Sequence, residues 1–312
     1  MMHAHTQYLA DEIAENCADG LLSRREAMRR LGFLGVSTAA ATTLLAACGG
    51  DDDGTAASQR ATTTAAGSQN TQATSPPSTA GGVVAQQDIT YPGDGITVRG
   101  VFAAPAGTAL GAVLVIHENM GITPFVRSMV GRLAGSGYAA LGVDLLSEQG
   151  GTAAQVDPGR ISGLLNDNAT SGRNVKDMKS SLQELQRRAP DAKLGAIGFC
   201  FGGSMTWELL KAGDPPPLAA AIPFYGTIAS PDFTKTKAAV LAVYAESDSR
   251  VNANRDLAVG ALNQARLTNE NRTFPGVGHG FVRSIDDPSN ASHQQAALAY
   301  AAMLDWFGRH LR

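Results

Sequence analysis

The stretch Gly198-Phe199-Cys200-Phe201-Gly202-Gly203-Ser204 decides the fold of this 312-residue chain. An apolar run typical of a strand leads into it, and a run typical of a helix leads out of it. The spacing Gly-x-Cys-x-Gly matches a sharp strand-to-helix turn that presents a nucleophile, with Cys in the position that Ser usually occupies. Small neighbours let the two segments of such a turn pass closely. The alternative is a glycine-rich turn with a buried Cys that serves as a small core hydrophobe.

Strand-like and helix-like runs alternate on both sides of this turn. Apolar runs and short alternating runs predict strands at 89–91, 96–102, 112–116, 138–143, 194–199, 218–225, 238–244 and 272–274. Helical spacing, with Pro124 at a first helical position, predicts helices after Thr123 and at 172–188, 252–265 and 292–311. This alternation predicts an α/β fold over residues 83–312, with a mostly parallel central sheet and helices on both faces. In such sheets, sites gather at the carboxyl ends of the strands.

Two loops after predicted strands carry the partners that a thiol nucleophile needs. Asp248 follows the strand at 238–244, and His279 stands in a glycine-flanked loop. A thiol is mostly protonated at neutral pH, so it needs a base within hydrogen-bond reach, and the base needs an orienting acid. The order Cys200, Asp248, His279 is the nucleophile, acid and base order of α/β-hydrolases.

Each of these residues also has a plainer interpretation. Asp248 fits the N-cap of a helix, and His279 fits a polar turn. Glu246 and Asp232 are rival acids near Asp248. The other histidines after residue 82 lie outside a glycine-flanked loop, and the last two of them are expected on helix surfaces: His117, His293 and His310.

A further loop, His117-Glu118-Asn119-Met120-Gly121, directly follows the predicted strand at 112–116. In the α/β-hydrolase plan this loop supplies one backbone N–H to the oxyanion hole, and the residue after the nucleophile supplies the other. The expected donors are therefore Asn119 and Phe201. The loop also brings the carboxylate of Glu118 to the thiol, where it is expected to be partly buried; the alternative is a solvated loop charge.

Four motifs together resemble the dienelactone hydrolase family, the carboxymethylenebutenolidases. They are Val115-Ile116-His117-Glu118-Asn119, the Cys200 turn, the Asp248 loop and Pro275-Gly276-Val277-Gly278-His279-Gly280-Phe281. The resemblance covers residues 83–312 and implies an α/β-hydrolase fold without a large lid. It implies a carboxylic-ester hydrolase that cleaves small esters or lactones through an acyl-cysteine, with a Cys200-His279-Asp248 triad. No metal or organic cofactor is implied, because no Cys/His cluster has ligand spacing.

The resemblance also implies a switch at the thiol. Glu118 helps to generate the thiolate when a substrate carboxylate engages nearby arginines, and at rest a carboxylate beside the thiol is expected to hold it protonated. Arg283 matches one of these arginines, and Arg160 is the candidate for the second. Tyr225, at the end of a predicted strand, is a further candidate for contact with the substrate.

The first 82 residues have a different character. Residues 1–47 combine the twin-arginine pair Arg24-Arg25 with a mildly apolar run, which is typical of an export signal. The run ends in Leu45-Ala46-Ala47-Cys48, which resembles a lipobox whose Cys48 is lipidated; a short membrane-spanning anchor is the alternative. Residues 48–82 are rich in Thr, Ala and Ser and predict a disordered tether. An exported protein anchored by lipid at a membrane surface is therefore expected.

Charge and cysteine content limit the functions that remain open. A net charge of -3 and an isoelectric point near 6.1 give no electrostatic footprint for nucleic acid. With one cysteine in the signal and one lipidated, Cys200 is expected to be the lone free thiol of a monomer that acts on a small ester or lactone. Two alternatives stay open: a non-catalytic ligand-binding lipoprotein, and a thiol acyltransferase or peptidase on the same scaffold.

Overall fold

The computed structural model describes residues 10, 13–14, 17, 24–33, 35–45, 83–213 and 215–312, apart from the side chains of residues 158–159, 166 and 168–171. The chain separates into two compact units, Met1–Thr79 and Ala80–Arg312. The second unit carries all the predicted site residues except Cys48.

The described part of the first unit contains helix α1, Arg24–Phe33, and helix α2, Thr38–Leu44. Ser37 caps α2, since its hydroxyl accepts a hydrogen bond from the backbone N–H of Ala40. Within the described residues, no helix combines the length and the apolar character needed to cross a bilayer. The lipidation of Cys48 and the tether at 48–82 lie outside the described residues, so the export signal remains a prediction.

The second unit is built on one eight-stranded sheet with the order β1-β2-β4-β3-β5-β6-β7-β8. The strands are β1 Gln87–Pro92, β2 Thr97–Ala103, β3 Ala112–Ile116, β4 Ala139–Asp144, β5 Leu194–Phe199, β6 Leu218–Phe224, β7 Ala239–Ala245 and β8 Asn269–Phe274. β2 pairs antiparallel with β1 and β4, and the other neighbouring strands are parallel. The predicted α/β class with a mostly parallel sheet is confirmed.

Helices follow the strands as expected. They are α3 Pro124–Gly135, α4 Pro158–Asn166, α5 Asn168–Arg188, α6 Phe201–Ala212, α7 Ser249–Asn252, α8 Arg255–Gln264 and α9 His293–His310. α3 begins as its sequence indicates, with Thr123 accepting from the N–H of Val126 and Pro124 in the first turn. Every residue of β3, β4, β5 and β7 is buried, as expected of strands covered on both faces.

Several element boundaries differ from the prediction, and two of these differences are informative. The helix expected at 252–265 begins at Arg255, and Asp248 caps a separate short helix, α7, that ends at Asn252. β8 begins at Asn269, three residues before the expected start. Polar residues at a sheet edge can pair through their backbone, so no apolar run in the sequence marks this start.

The strand register brings the predicted site loops to one edge of the sheet. In the parallel pair β3 and β5, Ile116 lies beside Gly198. The loop after β3 therefore begins beside the end of β5, where the Cys200 turn begins. β7 and β8 end together, with Ala245 beside Phe274, so the loops that carry Asp248 and His279 start as neighbours.

Candidate active site

The Cys200 turn has the strained geometry that its glycines predict. Cys200 has φ 57° and ψ −116°, a left-handed conformation that costs a non-glycine residue on the order of 1–3 kcal/mol. A Cβ on Gly198 would lie 2.0 Å from the carbonyl oxygen of Gly202, and a Cβ on Gly202 would lie 2.3 Å from that of Ile116. A Cβ on Gly203 would meet another backbone oxygen at 2.3 Å. The backbone contacts therefore explain each glycine of the motif.

The predicted base and acid are in direct contact. Nδ1 of His279 lies 2.6 Å from Oδ2 of Asp248, and both side chains are buried. The other oxygen of Asp248 accepts a hydrogen bond from the N–H of Val251 at 3.1 Å, so this carboxylate also caps α7. The catalytic and the capping interpretations of Asp248 are thus compatible, because each uses a different oxygen.

The charges at this pair favour a protonated imidazole. Burial opposes the charge, but the electrostatic attraction of Cys200 and the hydrogen bond with Asp248 raise the pKa of His279 well above its ordinary value. Burial likewise opposes the charge of Asp248, but the bond with His279 lowers the pKa of this carboxyl. The environment of this pair therefore favours an imidazolium at His279 that is held by the Asp248 carboxylate.

The rival acids have other partners. Glu246 accepts a hydrogen bond from the N–H of Gly276 at 2.8 Å, and Asp232 accepts from the N–H and the hydroxyl of Thr234. Glu246 thereby joins the two loops that carry Asp248 and His279. Among the three acids, Asp248 is the one that contacts the imidazole.

Tyr225 lies against the base. It has φ 37°, and its ring contacts the His279 ring edge to face at a centroid distance of 4.9 Å. The ring of Phe281 lies on another side of Tyr225, at 5.9 Å. Tyr225 is buried, so the structure places it beside the catalytic candidates, where it restricts the position of the imidazole.

The predicted oxyanion donors flank the same turn. Phe201 is the first residue of α6, where a backbone N–H has no acceptor within its own helix. Asn119 is buried in the loop after β3, and none of the hydrogen bonds formed among the described residues uses its backbone N–H. Two backbone donors beside a nucleophile are suited to hold a developing oxyanion.

Glu118 is paired with Arg283. Nε of Arg283 lies 2.8 and 3.0 Å from the two carboxylate oxygens, and Glu118 is only 3% exposed. Although burial opposes the charge of the guanidinium, the Glu118 carboxylate raises the pKa of Arg283. The pairing balances the negative charge of Glu118. Glu118 is buried in the loop after β3, and its effect on the Cys200 thiol remains a prediction.

Arg283 stands on a short 3-10 helix, Phe281–Asp286, that is anchored to α3. Asp286 accepts hydrogen bonds from Arg132, with its Nε at 3.0 Å, and from the hydroxyl of Ser128 at 2.6 Å. Gly280 precedes the helix with φ 76°, and a Cβ there would lie 2.7 Å from a guanidinium nitrogen of Arg283. A glycine at this position therefore leaves room for the guanidinium.

Arg160 has a different environment from the one expected. It lies on α4 with an exposed side chain. Within the described part of the chain, no hydrogen bond or ion pair joins it to Glu118 or Arg283. Its proposed role toward the substrate remains a prediction.

The sequence analysis missed the residues that hold the loop after β3. His117 is fully buried, and the hydroxyl of Thr152 accepts a hydrogen bond from the N–H of Ile122 and donates one to the carboxylate of Asp144. The sequence did carry a signal for these contacts, because Asp144 ends a buried strand and His117 directly follows one. His293 and His310 lie at the ends of α9 as expected, but both are half-buried.

No group of three or more His, Cys, Asp and Glu side chains is placed to hold a metal ion in the described residues. Cys200 forms no disulfide bond, and it is 4% exposed. A thiol on a strained turn, an imidazole held by an acid, and two backbone donors are the groups that acyl transfer requires.

Comparison with known proteins points to one family. A family model described as the dienelactone hydrolase family matches residues 98–311. A predicted carboxymethylenebutenolidase of Synechocystis sp. is 26% identical over 249 residues, covering 72% of this chain and 96% of the relative. Another from Salmonella typhi is 28% identical over 235 residues, covering 70% of this chain and 85% of the relative.

Solved structures share the fold. A predicted dienelactone hydrolase from Klebsiella pneumoniae superposes with a TM-score of 0.63 at 24% identity, covering 72% of this chain and 99% of the neighbour. The dienelactone hydrolase from Anabaena variabilis gives a TM-score of 0.56 at 19% identity, covering 74% and 100%. The α/β-hydrolase fold expected from the motif order is therefore confirmed.

Proposed function

Since the chain belongs to the dienelactone hydrolase family and is an ester or lactone hydrolase, we propose that it works through an acyl-cysteine formed on Cys200. The observation that carries this proposal is the 2.6 Å contact between His279 and Asp248, beside a cysteine on a strained strand-to-helix turn. A protein that only bound its ligand would not need this arrangement.

The proposed reaction has two halves. His279 holds the proton of the Cys200 thiol, and the sulfur forms a bond to the carbonyl carbon of the substrate. The oxyanion is stabilised by the N–H groups of Asn119 and Phe201. The C–O bond then breaks, and the leaving oxygen takes the proton from His279. In the second half His279 removes a proton from water, and the hydroxide adds to the thioester carbonyl carbon. The C–S bond then breaks to release the carboxylic acid, and the sulfur takes the proton back from His279.

We further propose that a substrate carboxylate is recognised by Arg283. Such a group would compete with Glu118 for the guanidinium, and the released carboxylate of Glu118 would then help to deprotonate Cys200. The support is the close contact of Glu118 with Arg283 and the electrostatic effect of Cys200 on the same arginine. Arg160 and Tyr225 stay candidates for further contacts with the substrate.

The first experiment separates hydrolysis from simple binding. Wild type and the variants Cys200→Ala and His279→Ala are assayed on p-nitrophenyl acetate and on a panel of lactones, with mass spectrometry of the intact protein. We expect turnover by wild type, an acyl adduct on Cys200, and loss of both in Cys200→Ala. Equal hydrolysis by wild type and Cys200→Ala would contradict the mechanism. Transfer of the acyl group to an added amine or alcohol, rather than to water, would favour the acyltransferase alternative.

A second experiment addresses the choice of substrate. Two esters with the same leaving group, one carrying a free carboxylate and one neutral, are compared in wild type and in Arg283→Met. We expect the variant to lose its preference for the anionic ester, because the guanidinium is absent. Arg127→Met is the matched control, since Arg127 pairs with Asp88 at an exposed position. An unchanged ratio of kcat/KM values in Arg283→Met would contradict the role of Arg283.

Export and lipid anchoring form a separate proposal that rests on the sequence alone. The twin-arginine pair Arg24-Arg25 and the run Leu45-Ala46-Ala47-Cys48 support it. Metabolic labelling with a fatty acid should mark the wild-type protein in a bacterial host, and Cys48→Ser should abolish the label. Equal labelling of the two would contradict lipidation at Cys48.

A further inference from the structure

His117 has two backbone partners in a fully buried position. Its Nε2 accepts a hydrogen bond from the N–H of Leu145 at 3.1 Å, and its Nδ1 lies 2.5 Å from the carbonyl oxygen of Glu118. A neutral imidazole carries one proton, and the nitrogen that accepts a bond cannot hold it. The proton is therefore on Nδ1, and His117 donates to the Glu118 carbonyl.

This bond fixes a peptide group that matters for the site. The carbonyl of Glu118 and the N–H of Asn119 belong to one planar trans peptide, so they point in opposite directions. A carbonyl held by His117 therefore sets the direction of the Asn119 N–H. The N–H of Gly121 also bonds to the Glu118 carbonyl, at a longer distance of 3.3 Å. The shorter bond from His117 is the main constraint on this peptide.

The same histidine also lies beside the second donor. Its ring stacks on that of Phe201, with centroids 6.3 Å apart and an angle of 20° between the planes. The carbonyl oxygen of His117 would lie 2.5 Å from a Cβ on Gly202, so the backbones of the two segments are in close contact. His117 thus connects the loop after β3 to the first turn of α6, and it is tied to the end of β4 through Leu145.

We infer that His117 is a positioning residue of the oxyanion hole, which acts by holding the Glu118–Asn119 peptide with its N–H directed toward the site. This inference rests on the proposed function, because a hole is needed only if an oxyanion forms. The role requires the neutral ring, since a second proton on Nε2 would face the N–H of Leu145. Burial, the largest effect on this group, lowers the pKa of His117 and keeps the ring neutral.

Three substitutions separate the two hydrogen bonds. His117→Phe keeps a ring that can stack on Phe201 and removes both bonds. In His117→Asn the amide nitrogen takes the place of Nδ1, so it can still donate to the Glu118 carbonyl. In His117→Gln the amide oxygen reaches toward the place of Nε2, so it can accept from Leu145 but leaves the Glu118 carbonyl without this donor. His310→Phe is the control for loss of a histidine outside the site.

Two probes of Cys200 distinguish positioning from a general structural effect. A trifluoromethyl ketone forms a tetrahedral adduct whose oxyanion needs the hole, whereas alkylation by iodoacetamide forms no oxyanion. We expect His117→Phe and His117→Gln to lose kcat/KM and affinity for the ketone by on the order of 10²-fold, the usual effect of one oxyanion donor. Their alkylation rates and thermal melting should stay close to wild type. His117→Asn should recover most of the activity.

The outcomes separate the two proposals. If wild type turns over the substrate and His117→Phe is equally active, this inference alone is overturned. A parallel loss of alkylation, melting temperature and turnover in His117→Phe would also overturn it, because the residue would then be structural. A wild-type protein that forms no acyl adduct on Cys200 would overturn the proposed function and, with it, the need for a hole.

Discussion

At the scale of single residues, the two oxygens of Asp248 have different partners. One accepts from the imidazole of His279 and the other from the N–H of Val251. This division holds the carboxylate in one orientation, so the imidazole bound to it is also held. The orientation of the base therefore depends on the start of helix α7 as well as on the acid.

Replacing this acid by its amide should remove most of the activity. In Asp248→Asn the side chain loses the negative charge that stabilises the imidazolium, and the pKa of His279 should fall. We expect kcat to drop by on the order of 10³-fold or more, as in other triads that lose their acid. Steady-state kinetics and the pH dependence of Cys200 alkylation measure the two effects. Glu246→Gln is the matched control, because Glu246 binds the backbone of Gly276 and not the imidazole.

The sequence indicated which residues meet at the candidate site but not all of their contacts. Cys200, Asp248 and His279 could be found because each follows a buried strand in a recognisable loop. The pairing of Glu118 with Arg283 joins residues 165 positions apart, and it depends on how the short helix after His279 packs. No local pattern carries that information.

At the scale of elements, the Cys200 turn is the part whose shape tolerates least change. Its glycines face backbone atoms of β3, of α6 and of the end of β6, which cannot move without disturbing the sheet. The spacing of the motif could therefore be interpreted from the sequence in steric terms. The break between α7 and α8 could not, because a turn at Ala253 and Asn254 separates the two helices with no Gly or Pro to mark it.

Adding one methyl group to this turn should destabilise the protein. The Cβ in Gly202→Ala would lie 2.3 Å from the carbonyl oxygen of Ile116, at the end of β3, and 2.5 Å from that of His117. We expect a loss of about 3 kcal/mol or more in the free energy of unfolding, at the upper end of overpacking costs. Gly260→Ala is the control, since a Cβ there meets nothing within 4 Å. In helix α8 that change should stabilise by up to about 1 kcal/mol. Similar denaturation midpoints for the two variants would contradict this explanation.

At the scale of the whole molecule, alternation of strands and helices was enough to predict the parallel sheet, because its central strands are buried on both faces. The edge strand β8 was harder to place. Its residues Asn269, Glu270 and Asn271 are polar, and they pair with β7 through the backbone. The polarity of a side chain says little about a hydrogen bond that the main chain makes.

Paired carboxylates in different parts of the second unit should make its stability depend on pH. Hydrogen bonds from Arg187 lower the pKa of Glu184. Burial raises the pKa of Asp248, but the bond with His279 outweighs it. Burial also raises the pKa of Asp286, and the bonds from Ser128 and Arg132 outweigh it. A group with a lowered pKa contributes stability above its unfolded value, and that contribution is lost as the pH falls through the folded value. We therefore expect melting temperatures to fall below about pH 4, the ordinary pKa range of Asp and Glu.

The acid sensitivity can be assigned by substitution. In Asp286→Asn the melting temperature should be lower at pH 7 and should change less between pH 5 and pH 3, because one titrating group is gone. Burial raises the pKa of Asp177, so the contribution of this residue to stability changes with pH in the opposite direction. Asp256→Asn serves as the control, since the side chain of Asp256 is 96% exposed. Parallel melting curves for Asp286→Asn and wild type over this range would show that Asp286 does not contribute.

The glycines around Cys200 also bear on how such a protein can diverge. They accommodate backbone oxygens and not the sulfur atom. The turn therefore keeps its shape whichever small nucleophile it presents. Cysteine and serine codons differ by one nucleotide, so a lineage can exchange a thiol for an alcohol in one mutational step without passing through an unfolded ancestor. Substitutions at Gly198, Gly202 or Gly203 have no such route. Descendants should therefore vary in their chemistry at position 200 more readily than in the turn that carries it.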